Sequence, residues 1–148
     1  MPKPVTLIEE HPHRVTTLHH RAGLVHNARS PAPLALELHY TSFDPYAVRI
    51  KLAVEGAEVR WALSRESLLV GLRRHDGLGD VAVWPVRPPN GPPLLRIRLG
   101  PPGRCAVMET ELGIIAEWLD VTHQLVPPGC EPPYIHWDGF LSALLDEF

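Results

Sequence analysis

The run Val48-Arg49-Ile50-Lys51-Leu52-Ala53-Val54, the link Glu55-Gly56-Ala57, and the run Glu58-Val59-Arg60-Trp61-Ala62-Leu63-Ser64 together decide the fold class. Val48, Ile50, Leu52 and Val54 alternate with Arg49, Lys51 and Ala53. Val59, Trp61 and Leu63 alternate with Glu58, Arg60 and Ala62. A period of two sends successive side chains to opposite faces of a strand. Each run therefore predicts a strand with one face on a core and the other toward water, as in an antiparallel sheet. Glu55-Gly56-Ala57 is short enough to be a hairpin turn between them.

Upstream, Leu34, Leu36, Leu38 and Tyr40 alternate with Ala35, Glu37 and His39, predicting another strand, and Val15 to about Val25 is a weaker first one. Residues 1–14, with Pro2, Pro4 and Pro12 among charges, read as a tail. Downstream the period changes at Ser64, which can cap a helix whose first turn carries Glu66. Leu68, Leu69 and Leu72 follow at helical spacing, and Arg73 and Arg74 suit the C-terminal end. His75-Asp76-Gly77-Leu78-Gly79-Asp80 reads as a turn. Strands resume at Val81–Trp84 before Pro85, at Leu95, Ile97 and Leu99 between Arg96 and Arg98, and from Cys105 to Met108. Thr110 can cap a second helix to about Gln124, with Ile114, Ile115, Trp118 and Leu119 as its apolar face, and Pro127-Pro128-Gly129 stops it. Leu141, Leu144, Leu145 and Phe148 predict a short C-terminal helix. The expectation is one α+β domain over residues 15–148, with antiparallel sheets in two strand-plus-helix halves in the order ββββα-βββα. The two halves hint at an internal duplication.

Composition narrows the function classes. A chain of 148 residues buries about two-thirds of its extended surface on folding, enough for one core. An apolar fraction of 45% makes disorder a poor description. Seventeen prolines, about twice the usual share, limit long helices and favour short strands with stiff loops. The net charge of −3 argues against a protein held on duplex DNA by phosphate neutralisation. No stretch reaches the length of a membrane span, and the N-terminal residues lack the apolar run of a secretory signal. Two cysteines, Cys105 and Cys130, fit a reducing cytosol better than a disulfide framework. A cytoplasmic location is expected.

Candidate chemistry is thin. His11 and His13 would share a strand face, but neither cysteine stands at ligand spacing from them, so exposed histidines are the better reading than zinc. Gly77-Leu78-Gly79-Asp80-Val81-Ala82 formally matches a dinucleotide fingerprint, yet it follows a helix and opens a strand, the reverse of what a phosphate site requires. Ser64, Ser67 and Ser142 lack a nucleophile elbow, and nothing forces Asp44, Asp80 and Glu109 together. Cys105, in an apolar strand, reads as a small core residue. No catalytic residue, metal or cofactor is expected. Arg49, Lys51 and Arg60 fall on one face of adjacent strands, and Arg96 and Arg98 flank another. With Trp61 or Trp84 nearby, these could form a basic, aromatic platform for single-stranded nucleic acid. The simpler reading is a solvated sheet face with Trp61 buried. Exposed arginines and aromatics serve protein interfaces equally well, so a protein interaction module leads and nucleic acid is the alternative.

Asp44-Pro45-Tyr46-Ala47-Val48, Val59-Arg60-Trp61, Ser64-Arg65 through Leu72, and Gly79-Asp80-Val81-Ala82-Val83-Trp84-Pro85 resemble the SsgA-like family of sporulation and cell-division proteins of filamentous actinomycetes. Val126-Pro127-Pro128-Gly129 also resembles the family's segment after its second helix, and the match spans roughly residues 15–130. The resemblance implies a non-catalytic regulator of sporulation-specific division that acts as an adaptor at septum sites. One branch of the family recruits the tubulin-like ring protein FtsZ. It also implies a fold like the whirly-type single-stranded nucleic-acid binders and a small homo-oligomer, a trimer favoured. The implied partners are FtsZ or other SsgA-like proteins, and the location is cytoplasmic, concentrated at the septum. The motif residues Asp44, Pro45, Tyr46, Trp61, Gly79, Asp80, Trp84 and Pro85 read mainly as structural. Asp44 before Pro45 closes a turn, Pro85 ends strand pairing, and the tryptophans fill core or interface.

Overall fold

The two runs between residues 48 and 64 pair as antiparallel strands. Val48 stands opposite Leu63, Ile50 opposite Trp61 and Leu52 opposite Val59 on one face, while Lys51 faces Arg60 and Arg49 faces Ala62 on the other. The turn between them is the two-residue Glu55-Gly56, both at positive φ (36° and 80°). Such turns follow the right-handed twist of the flanking strands. The computed structural model describes residues 13–25 and 31–135. The proposed C-terminal helix, His11, Ser142 and most of the proposed tail lie outside the described residues.

Among the described residues, eight strands and two helices follow in chain order. They are β1 (Val15–Val25), β2 (Ala32–Thr41), β3 (Ala47–Val54), β4 (Ala57–Ser64), α1 (Arg65–Gly71), β5 (Asp76–Leu78), β6 (Val81–Val86), β7 (Leu94–Leu99), β8 (Ala106–Glu111) and α2 (Leu112–Leu125). A single 3₁₀ turn, Pro132–Tyr134, follows α2. The strands form one antiparallel sheet in the order β4-β3-β2-β1-β8-β7-β6-β5. Two meanders, each ending in a helix, are thus joined side by side. Among the described residues the seam is short: β1 meets β8 through Gly23, Leu24 and Val25 opposite Glu109, Met108 and Val107.

Both helices lie on the apolar face. Leu36, Leu38, Tyr40, Ile50, Leu95, Ile97 and Met108 from the sheet pack with Leu68 of α1 and Ile115, Trp118 and Leu119 of α2 in one cluster. Each large side chain fully removed from water contributes about 1.5–3 kcal/mol, so this shared layer holds the two halves together more than their brief seam does. The Ser64 hydroxyl caps α1 by accepting the Ser67 N–H at 3.2 Å, as the sequence predicts.

Three expectations are corrected. The segment read as a turn over His75–Asp80 contains a fourth strand of the second half, β5, and only Gly79-Asp80 turns. Three residues are too few to display a period of two, so the order is ββββα-ββββα. Thr110 does not cap α2. It sits in β8 opposite Leu95, and its hydroxyl donates to the Arg21 carbonyl at 3.0 Å. Glu111 occupies the cap position without a side-chain bond, and the Leu112 N–H donates to the Pro93 carbonyl at 3.1 Å instead. Cys105 is exposed rather than core, because β8 begins at Ala106 and the alternation that turns Met108 inward turns Cys105 outward; Cys130 is also exposed and free.

The close approach of α1 to β6 depends on Gly71. A Cβ at this position would stand 2.6 Å from Val83 Cβ, and Val83 is fully buried. Gly71→Ala should therefore destabilise the fold by about 1–3 kcal/mol through overpacking. The midpoint of urea unfolding should fall, whereas Gly113→Ala, where a Cβ meets nothing, should leave it unchanged or higher.

Candidate functional site

Arg65, the first residue of α1, is 2% exposed. Its backbone N–H donates to the Tyr46 carbonyl at 2.8 Å. Its guanidinium crosses to the end of α2, where Nη1 donates to the carbonyls of Thr122 (3.1 Å) and Val126 (2.7 Å) and Nη2 to Glu131 Oε2 (2.9 Å). It also lies over the Tyr40 ring, 4.9 Å from the centroid. The last carbonyls of a helix carry the negative end of its dipole, and the Thr122 carbonyl, which also accepts the Val126 N–H at 2.9 Å, has a second lone pair for the guanidinium, so a fixed cation is well placed there. Tyr40 in turn donates its hydroxyl to the Pro45 carbonyl at 2.9 Å. Burial pushes that phenol up to about 12, against the opposing Arg65 charge. Burial alone would raise Glu131, but the hydrogen bond and charge of Arg65, with backbone donors, leave it below its ordinary value. His123 is pushed down by burial and then by Arg65.

The motif residues fall at two turns. Asp44, Pro45 and Tyr46 form the β2–β3 connection. The Asp44 N–H donates to Thr41 at 3.0 Å and its carbonyl accepts the Ala47 N–H at 3.3 Å. Ser42, buried beneath this turn, takes the Arg14 N–H on its hydroxyl at 2.9 Å, while Phe43 stacks on His13 at 3.6 Å. The Tyr46 side chain is 48% exposed. Gly79 and Asp80 form the β5–β6 turn, with Gly79 at φ 71° and the Asp80 carbonyl accepting the Gly100 N–H at 2.7 Å. Trp84 and Pro85 lie in β6 opposite Arg96 and Leu95. Pro85 does not end strand pairing as expected: β6 continues to Val86 opposite Leu94 of β7. Pairing with β5 stops at Val83, so the missing N–H of Pro85 costs that ladder no hydrogen bond.

The basic residues separate into two groups. Arg49, Lys51 and Arg60 do share the outer face of β3 and β4, along a groove of about 500 Å³ with His39 and Glu37. Each is matched by an acid. Lys51 pairs with Glu37 at 3.0 Å, Arg60 with Glu58 at 2.6 Å, and Arg49 stands 3.8 Å from Asp44. The Lys51 hydrogen bond holds Glu37 below its ordinary value against the opposing effect of burial. Trp61 also lines this groove, although its register with Ile50 turns it toward the core side, where it is half-buried. The ring and the cations are therefore close, but the cations are matched by acids rather than free. Arg96 and Arg98 lie far along the sheet on β7. Arg96 pairs with Glu109 at 3.0 Å, and Arg98 donates to the carbonyls of Gly100 (3.1 Å) and Gly79 (2.9 Å).

A family described as "Streptomyces sporulation and cell division protein, SsgA" matches residues 34–131, which contain both motif turns and the whole Arg65 cluster. The chain belongs to the SsgA family. It is 38% identical over 118 residues to sporulation-specific cell division protein SsgB of Thermobifida fusca, covering 79% of this chain and 85% of the relative. It is 37% identical over 125 residues to SsgB of Streptomyces coelicolor, covering 84% and 90%. Two solved structures share its fold. One, an SsgA-like sporulation-specific cell division protein from Thermobifida fusca, has a TM-score of 0.79 at 33% identity and covers 88% of this chain and 95% of its own. The other was reported with mutations in SsgB that correlate to longitudinal cell division during sporulation of Streptomyces coelicolor. It has a TM-score of 0.77 at 32% identity, covering 82% and 96%.

Within this SsgA-family chain, sequence reasoning missed Arg65 and its partners Thr122 and Glu131. A signal was present: a cation in the first turn of a helix opposes the dipole, so an arginine directly after the Ser64 cap calls for another use. Its partners, 57 to 66 positions away, gave none. Removing one member of a buried ion pair costs about 3–5 kcal/mol. Arg65→Ala should therefore lower the thermal midpoint by about 10 °C, read by circular dichroism.

The acid response has two parts. Glu131 is held below its ordinary 4.5, so its contribution is present above that value and lost as pH falls through the folded one. His123 is held below 6.5, so the unfolded chain takes up the proton first and stability declines below that pH as well. Urea midpoints should fall in both ranges. His123→Gln should flatten the upper decline, and Glu131→Gln should weaken the lower one while reducing stability at neutral pH.

Proposed function

We propose that this protein acts in sporulation-specific cell division as a non-catalytic adaptor that controls where septa form and recruits division proteins such as FtsZ. The observation that carries the reading is the SsgA-family match over residues 34–131, together with the use to which its motifs are put. Asp44-Pro45-Tyr46 and Gly79-Asp80 build turns, and Arg65 builds the core; among the described residues they do not converge on a reaction site. What the fold presents outward instead is half-exposed Tyr46, Trp84 at the surface of β6, and the long edge strand β4 with Val59 46% exposed. Edges of this kind are commonly covered in assemblies, which supports self-association, with the trimer as the expected state by sedimentation equilibrium. The repeated ββββα order supports relating the fold to whirly-type binders. Fold does not fix function, and the acid-matched cations on β3 and β4 favour protein over nucleic acid.

Deletion of the gene should disturb septation during sporulation, a fluorescent fusion should collect at septa, and the purified chain should co-sediment with FtsZ filaments. A uniform signal throughout the cytoplasm with septation unaffected by deletion would sink the reading.

A further inference from the structure

We propose that the outer surface where the end of α1 meets β6 is a docking shelf for an acidic protein segment that also carries an aromatic side chain. The inference deepens the adaptor reading by naming a surface and the chemistry of its partner. Two recesses meet at Arg74. One, of about 420 Å³, is lined by Arg74, His75, Trp84, Pro85 and Arg98; the other, of about 380 Å³, by Leu69, Val70, Arg73 and Arg74. The Trp84 indole is half-buried, with the exposed His75 ring stacked on it at 5.8 Å and 26°. A flat, partly desolvated ring beside a proline is the kind of anchor that interface hot spots use, and tryptophan and arginine are the residues most enriched in them.

Charge separates this surface from the groove on the first half. There, Arg49, Lys51 and Arg60 each have a carboxylate within 4 Å. Here, among the described residues, Arg73, Arg74 and Arg98 have none. The Gly79 and Gly100 carbonyls hold the Arg98 guanidinium in place without neutralising it. Among the described residues the shelf therefore offers three arginines without a carboxylate within 4 Å, one of them held in place, beside apolar surface, although the chain as a whole carries −3. Carboxylates of an incoming segment would meet Arg73, Arg74 and Arg98, while its ring would lie against Trp84 or over Leu69 and Val70. Such complementarity sets orientation and speeds encounter. Three cations interspersed with aliphatic side chains suit a peptide better than a polyphosphate track, whose affinity rises with the number of phosphates neutralised.

The test is fluorescence polarisation with the full-length chain. The probes are a labelled peptide alternating glutamate and phenylalanine, the same peptide with lysine for glutamate, and oligothymidylate. The acidic peptide should bind saturably and the lysine peptide should not. Arg74→Glu and Trp84→Ala should each weaken binding by about tenfold or more, while Arg49→Glu should leave it unchanged. Arg74 is exposed, so Arg74→Glu should keep the thermal midpoint and remains decisive even if Trp84→Ala fails to fold. Equal binding by Arg74→Glu and the unaltered chain would overturn the proposal. So would tighter binding of oligothymidylate that Arg74→Glu abolishes, which would give the shelf to nucleic acid. Loss of peptide binding with septation still dependent on the gene would remove the shelf and leave the adaptor reading standing. Peptide binding with septation independent of the gene would do the reverse.

Discussion

The guanidinium of Arg65 joins four parts of the chain that are far apart in sequence: the start of α1, the end of α2, the segment at Glu131 and, through Tyr40, the Asp44-Pro45-Tyr46 turn. Taking a charge this far from water is costly unless its donors are met and its charge is answered. The Thr122 carbonyl of α2, the Val126 carbonyl just past its end, one carboxylate and one aromatic face do both. The carbonyls are at the negative end of α2, so the cation and the dipole stabilise each other. The arrangement also has a directional effect that apolar packing lacks: it fixes where α2 ends relative to α1, and hence how both helices cover the sheet.

That placement matters because the two half-sheets share little backbone among the described residues. Three residues of β1 and three of β8 pair there, and the common apolar layer beneath α1 and α2 adds to the connection. With the inner face committed to this layer, the outer sheet face and the exposed side of the helices are left to define what the molecule can meet. The two ends of the sheet differ sharply in this. On β2–β4 the cations are answered by acids of neighbouring strands, giving a polar surface with little net field. On the α1–β6 side the arginines stand beside Trp84 without described carboxylates. An SsgA-family chain with a net charge of −3 therefore carries, among its described residues, a locally basic, partly apolar region.

The strand pattern was the most legible part of the fold. In β2, and in β3 from Val48 to Leu52, the apolar residues of the alternation are the buried ones, because a period of two combined with a one-sided core leaves no other register. Ser64 as a helix cap was equally readable, since its hydrogen bond is local. Where a residue's role depended on a distant partner, local reasoning failed. Thr110 has the chemistry of a cap, but its hydroxyl serves the Arg21 carbonyl, 89 positions away. Gly77, read as part of a turn, is a strand glycine held close to Ala82, where a Cβ would stand 2.6 Å from Ala82 Cβ. Neither distance can be inferred from the neighbours of the residue.

The amino-acid order by itself therefore determined the α+β class, most of the strands, both helices and, through its motifs, the family. These follow from periodicity and local capping, which act over a few residues. Only the tertiary structure decided that Arg65 is buried, that Trp61 and Trp84 lie on opposite faces of the sheet, and which arginines keep their charge unanswered. Whether a cation is neutralised depends on separations of a few ångströms between strands, and Coulomb and hydrogen-bond energies change steeply over that range.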